Sequence, residues 1–451
     1  MIDLLSMAAL FALTGELRLE EARIATIPDG IELEGAPLVG PDGKEWPNVH
    51  RVQWSPDGRR VAYVGLKEGR THAVIGEDVL ESYHFLSAPV FSDDGEHVAF
   101  RAGNRKSAKQ EQWWVLLDGK QTGAEDWIGA VQFRPGTDEL CYWTQPGARI
   151  GSMGEYTGGD LVLRAGKRKS KKWDDANALM PLHFSADGEV IASPAMRGGK
   201  WTALVFDKKG ERKPGKQEGL SMLSAVALSP NGKEVALCGA DPRGTGSEVP
   251  DLPPGMAPPR GMFGMKLIVM HGKEVYGRDE LGAGQAVFSP NGKSLAYKLL
   301  SNEGMAIAVD GKTALAFQDG FVQTPVWSPD SKRIAYGVNE GGAVDPFWRL
   351  SPEGDGAITG GKVRVVQHDP RGKHEERGEE FLEVRDLVWN SDSSKLAYCA
   401  RTAEGWIVVC GAMHSSVFDE VGTPSFAPDD GKLLFGARVG RELWWKVLEL
   451  E

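Results

Sequence analysis

The stretch "WSPDGRRVAY", Trp54 to Tyr63, is written again almost letter for letter as "WSPDSKRIAY", Trp327 to Tyr336. Looser versions fill the chain around the two. In all there are nine copies: from Val52, Pro89, Val131, Leu182, Val226, Ala286, Pro325, Leu387 and Pro424. Self-similarity repeated along a whole chain marks a repeat architecture and outranks any local reading.

Each copy reads as a hairpin. Val52 and Trp54 before the turn, and Val61 and Tyr63 after it, follow the two-residue period of a strand. Between them Pro56 presets φ at the second turn position, Asp57 tolerates the third, and Gly58 takes the left-handed conformation. Copies with Asn-Gly serve the same geometry. Ser331 and Ser393 replace the glycine, which predicts looser turns or turns of another type. In "AYCARTAEGWIVVC" (Ala397 to Cys410), a two-residue turn at Glu404 and Gly405 would set Cys399 directly opposite Cys410. A directly opposed bridge is strained, and four scattered cysteines do not make a disulfide framework, so free half-buried thiols are expected.

A second, weaker hairpin follows each copy. Examples are "WWVLLDGKQTG" from Trp113, "LIVMHGKEVYG" from Leu267 and "MAIAVDGKTALAF" from Met305. Each unit is therefore four antiparallel strands, named a to d in chain order, with no helical segment of consequence between units. The expected fold is all-β: a single β-propeller of eight or nine four-stranded blades, nine on the count of copies. After the ninth hairpin, "RELWWKVLEL" (Arg441 to Leu450) supplies a c strand and the chain stops. "PDGKEWPNV" (Pro41 to Val49) is the expected d strand that completes this last blade and closes the ring. Residues 1–40 are then an N-terminal extension and residues 41–451 the propeller.

The motif, a [VP]xWSPDGxxIAY hairpin followed by a VxxDGK strand, resembles the TolB-type, WD-repeat-like propeller repeat over roughly residues 41 to 451. That resemblance implies an exported bacterial protein, often a protein-interaction module. It also covers the propeller halves of prolyl-oligopeptidase-type peptidases. Fold does not imply function. Those peptidases need a G-x-S-x-G nucleophile elbow, and none occurs, nor is any stretch left over for a hydrolase domain.

Composition narrows the classes further. Of 451 residues 41% are hydrophobic and 25% charged, which is the make-up of a globular chain. The net charge of -11 argues against nonspecific nucleic-acid binding, which needs a cationic footprint. Ile2 to Leu13 is too short an apolar run to span a bilayer; with the family resemblance it points to export, to the periplasm or outside the cell, and a short packed helix and a cytoplasmic protein are the alternatives. The aspartates of "SDDGE" and "PDDGK" lack the alternating ligands of a calcium loop and are accounted for by turn chemistry. "GKRKSKKW" (Gly166 to Trp173) reads as a solvated c–d hairpin. No catalytic residue, metal site or cofactor is assigned.

Blades differ in their b–c connections. Those running from Thr144 to Gly159, Gly239 to Met265 and Asn339 to Gly361 are long, and b–c and d–a connections share one rim of a propeller. Long loops on a rigid scaffold carry binding residues. Aromatic and Arg side chains are enriched at interface centres, so the candidate binding residues are Tyr156, Arg243, Phe263, Phe347, Trp348 and Arg349. The expected function is a non-enzymatic binding or scaffold protein that offers this rim to a protein or cell-envelope partner. The alternative is a polysaccharide-active enzyme, a lyase or glycosidase, with its site in the central channel.

Overall fold

The computed structural model describes residues 19–33, 38–39, 45–46, 52–151, 155–214, 220–241, 266–317, 320–340 and 362–450. Nine antiparallel four-stranded sheets follow one another around a ring, and no helix occurs among the described residues. Blade 1 comprises Gln53–Trp54, Val61–Lys67, Arg70–Ile75 and Asp78–Tyr83. Blade 2 has a split inner strand, Phe85–Leu86 and Val90–Phe91, then Val98–Ser107, Gln110–Leu117 and Lys120–Gln121. Blade 3 comprises Gln132–Phe133, Leu140–Thr144, Val162–Ala165 and Arg168–Lys169. Blades 4 to 8 occupy residues 175–212, 222–276, 282–317, 320–381 and 383–414, and the a strands of successive blades meet around the axis.

Blade 9 combines Glu420–Val421, Ser425–Phe426, Lys432–Val439 and Glu442–Glu449 with Leu19–Thr26 as its outer strand. The ring is thus closed by an N-terminal strand, but not by Pro41 to Val49. Leu19–Thr26 pairs along Glu442–Glu449 from Leu19 opposite Leu448 to Thr26 opposite Glu442. Ion pairs between Arg23 and Glu442 and between Lys446 and Glu21 fix the register. Pro41 and Pro47 lack the N–H groups such a ladder requires. The last blade thus takes in Leu19–Thr26.

The core lies between blades rather than inside any one of them. Val61, Ala62, Tyr63 and Val64 are all buried, because a strand packed on both faces buries both of its side-chain sets. Ala62 and Val64 pack with Val98 and Phe100 of blade 2, whereas Val61 and Tyr63 pack with Ala25, Ile27 and Leu443 of the closing blade. The tryptophan before the repeat's serine reaches the preceding blade. Trp327 Nε1 donates to the Val287 carbonyl (3.2 Å) and Trp389 Nε1 to that of Val326 (3.3 Å). Trp54 lies so close over Gly436 of blade 9 that a Cβ there would be 2.1 Å from the indole.

The repeated turn is held by its own side chains. Ser55 Oγ donates to Asp57 (2.5 Å) and accepts from Arg60 N (2.9 Å), and Ser328 does the same with Asp330 (2.7 Å) and Arg333 N (2.9 Å). Ser331 and Ser393 do not loosen it. They sit at φ 62 and 66, beside 73 for Gly58, so all three turns take the same left-handed conformation. The strain is offset across the blade boundary: Ser331 Oγ accepts from Asn291 N (3.0 Å) and Ser393 Oγ from Asp330 N (3.0 Å). The chain between Cys399 and Cys410 also differs from the expected two-residue turn. Arg401 pairs with Trp406 across a four-residue loop, which sets Cys399 opposite Val408 and Cys410 opposite Ala397. All four cysteines are buried free thiols.

Inner-strand side chains add a second belt of blade-to-blade bonds. Asn177 donates to the Leu223 carbonyl (2.9 Å), Gln323 to that of Val384 (2.9 Å) and Arg385 to that of Val421 (2.7 Å). Glu420 accepts from Val52 N (3.1 Å) across the closure and pairs with Arg438 (3.3 Å). These side chains are in this way committed to the ring itself.

Two outcomes follow. Ser393→Ala keeps the left-handed strain and strands a backbone N–H, so it should lower stability by about 1–2 kcal/mol. Ser393→Gly, which relieves the strain, should stay within about 0.5 kcal/mol of wild type, both read from denaturant midpoints. Burial holds the imidazole of His183, on the inner strand of blade 4, down at about 4, below its ordinary value of 6.5. As pH falls from about 6.5 to about 4 the unfolded chain takes the proton first, so stability is lost across that window. His183→Gln should remove that share of the loss; equal losses for both proteins would assign it elsewhere.

Candidate functional site

The one candidate binding residue among the described residues, Tyr156, stands at the seam between blades 2 and 3. Its loop is the b–c connection of blade 3, which forms a small hairpin of its own, Arg149–Ile150 against Tyr156–Thr157. The hairpin leans away from its parent blade and onto blade 2. Ile150 N donates to the Lys109 carbonyl (3.1 Å), and the Tyr156 hydroxyl donates to the Glu111 carboxylate. Burial and this carboxylate together push the Tyr156 phenol well above its ordinary range. A connection that the sequence marks only as long is thus tied to two blades.

The face beneath it follows from strand register. Phe85, Gly103 and Trp113 are paired in a row across three strands of blade 2. Gly103 leaves room where a side chain would stand: a Cβ there would be 2.6 Å from the Trp113 ring. Trp113 lies flat in that space and stacks on Phe85, with centroids 5.4 Å apart and planes 20° apart. Two residues before Gly103 on the same strand face, the guanidinium of Arg101 sits 4.0 Å from the Trp113 ring centre and 5.5 Å from that of Trp127. Trp127 in turn packs 5.5 Å from Tyr156.

Electrostatically the seam is a covered cation. Burial lowers the Arg101 guanidinium to about 10, while the nearby Glu111 carboxylate opposes the shift, so it stays cationic at neutral pH. Arg101 Nε and the indole N–H groups of Trp113 and Trp127 are buried without a hydrogen-bond partner among the described residues. The aromatic faces stabilise the guanidinium charge, not these N–H groups. Glu111 is itself buried, bonded to Tyr156 and 3.6 Å from Arg105. These groups make a packed cluster of aromatic rings, one buried carboxylate and arginines at the seam.

Arg243, Phe263, Phe347, Trp348 and Arg349 lie outside the described residues. Their connections leave from Val235–Ala240 and Ile334–Glu340, both b strands, and return at Leu267 and Lys362. Sequence reasoning missed Arg101, Glu111, Trp113 and Trp127. The available signal was the run "RAGNRKSAKQEQWW" (Arg101 to Trp114), in which a string of cations precedes a tryptophan pair. Arg168 and Lys169 of the basic run form strand d of blade 3, the expected c–d hairpin, and Arg197 covers the buried Trp173 at 3.7 Å. Among the described residues no group of three or more His, Cys, Asp or Glu is placed to hold a metal ion. A cleft of about 540 Å³ opens on the opposite rim between blades 7 and 8, where Val365, Tyr398 and Met413 meet Arg333 and Arg377.

No protein-family model matches this chain, and no curated protein does. Solved structures similar to it include a eukaryotic initiation factor, 12% identical with a TM-score of 0.44 over 85% of this chain and 90% of that one. Another is an oligogalacturonate lyase from Vibrio parahaemolyticus, 11% identical with a TM-score of 0.40 over 88% and 96%. A third is TolB from Acinetobacter baumannii, 11% identical with a TM-score of 0.30 over 77% and 79%. At such identities the fold rests on the nine sheets of this chain itself.

Filling the space above Gly103 tests the site's construction. Gly103→Val should displace Trp113 and lower stability by about 1–3 kcal/mol, with a changed tryptophan emission spectrum. Unchanged emission and stability would mean that the indole does not rest on this glycine.

Proposed function

We propose that this protein is a non-enzymatic binding protein that presents the long-loop rim of its propeller to a protein or cell-envelope partner. The observation that carries the reading is the blade 3 insertion, which is anchored on the neighbouring blade through Tyr156 and Glu111. A connection fixed at both ends loses little conformational freedom when a partner docks, and so offers a preorganised contact surface. Tyr156, Arg243, Phe263, Phe347, Trp348 and Arg349 are the proposed contact residues, all from connections of this rim. Aromatic and arginine side chains in such positions dominate interface energetics.

The channel supports turnover less well. Its acid and arginine groups Glu420, Arg385 and Arg438 are engaged with neighbouring strands and with one another. Among the described residues no helix is long and apolar enough to cross a membrane. Export to the periplasm or beyond is part of the proposal and rests on the N-terminal apolar run and the TolB-type repeat.

A pull-down from the native organism tests it, with wild type set against a Tyr156→Ala, Phe347→Ala, Trp348→Ala variant of matching thermal stability. A partner retained by wild type and reduced at least about tenfold in the variant supports the rim as the interface. Identical partners, or none in either sample, would remove the rim from consideration and turn attention to glycan binding in the channel.

A further inference from the structure

The chain is acidic overall, yet the tip of blade 2 on the long-loop rim is not. From Arg101 to Lys109 the sequence holds four cations and no acid, within a net charge of -11. Arg105, Lys106 and Lys109 stand at the tip where the b strand Val98–Ser107 turns into the c strand Gln110–Leu117, and all three are exposed. The bond from Ile150 N to the Lys109 carbonyl brings the blade 3 hairpin, and with it the exposed Arg149, to the same tip. The hairpin tip of blade 2 and the insertion of blade 3 thereby contribute cations to one patch.

These charges are not consumed locally. Lys106, Lys109 and Arg149 form no ion pair among the described residues, and Arg105 reaches only Glu111, at 3.6 Å, with 55% of its side chain exposed. The nearby acids are otherwise occupied. Glu111 is buried and holds the Tyr156 hydroxyl, and Asp126 accepts from Gly147 N (2.7 Å). Glu155 faces back toward Gly151 across the hairpin. Beneath the patch the Arg101 guanidinium, held by two indoles, adds a further positive charge of low mobility.

We infer that Arg105, Lys106, Lys109 and Arg149 form a docking site for an acidic segment of a partner polypeptide. The inference rests on the proposed use of this rim as an interface and names the partner's chemistry. Clustered cations on a rigid support are a recurring way to recognise acidic motifs, and arginine adds forked hydrogen bonding to carboxylates. Charge balance favours a short segment over a long polyanion. A short segment matches a patch of four side chains, whereas a nucleic acid or an acidic polysaccharide would extend past it over a chain whose net charge is -11.

Fluorescence anisotropy of a fluorescein-labelled poly-glutamate peptide against the full chain tests this. Wild type should bind, should weaken as salt is raised, and should not bind the poly-glutamine counterpart. The Lys106→Glu, Lys109→Glu, Arg149→Glu variant should lose at least about tenfold in affinity with unchanged thermal unfolding. Absence of binding to wild type, equal binding by the variant, or tighter binding of a thymidine oligonucleotide or of alginate would each overturn the inference. The two proposals separate cleanly in the pull-down. A partner lost with Tyr156, Phe347 and Trp348 but kept by the charge-reversal variant leaves the rim reading standing and removes the acidic partner. Peptide binding without any rim-dependent partner does the reverse.

Discussion

The ladder that joins Leu19–Thr26 to Glu442–Glu449 is the contact on which the rest of the ring depends. Every blade here is apolar on both faces, so no blade is stable unless it has a neighbour on each side. An open chain of nine would leave two of those faces, and a strand edge, in water. Closure covers them together: Ala25 and Ile27 pack with Val52, Val61 and Tyr63, and Trp54 settles over Gly436. Glu420 adds a polar latch to the Val52 backbone across the same seam.

From that constraint comes the division of labour between the rims. The short-turn rim repeats one set of bonds, in which a serine holds the turn and a neighbouring blade holds the serine's turn in place. The other rim is spared this duty, and there the connections lengthen. At the seam of blades 2 and 3 the freedom is used to carry an insertion sideways. Tyr156 comes to rest over Glu111, and the aromatic floor of Phe85, Trp113 and Trp127 supports a buried arginine. The site is assembled from two blades, and neither holds it alone.

How far this could be read in advance varied with the range of the interactions. The hairpin was legible because its determinants, Ser55, Pro56, Asp57 and Gly58, lie within four consecutive residues. Ser331 and Ser393 misled for the complementary reason. Their strain is offset by backbone N–H groups of Asn291 and Asp330, far away in sequence, and a local rule sees only the missing glycine. The closing strand was misplaced because the strand patterning of Pro41 to Val49 is weak evidence, whereas register against Glu442–Glu449 is decisive and is visible only once the ends of the chain meet. Tyr156 was found as an aromatic in a long loop. Its partners Arg101, Glu111 and Trp113 were not, since on their own blade they read as ordinary strand residues.

The sequence by itself determined the repeat, the blade and its antiparallel order, since these follow from turn chemistry and two-residue periodicity, which act between near neighbours. Only the tertiary structure decided which N-terminal segment closes the ring, which cysteines face which residues, and that an insertion of blade 3 is bonded to blade 2. Those outcomes depend on contacts between segments up to hundreds of residues apart, such as Lys446 with Glu21, whose energies arise only when the whole circle has been completed.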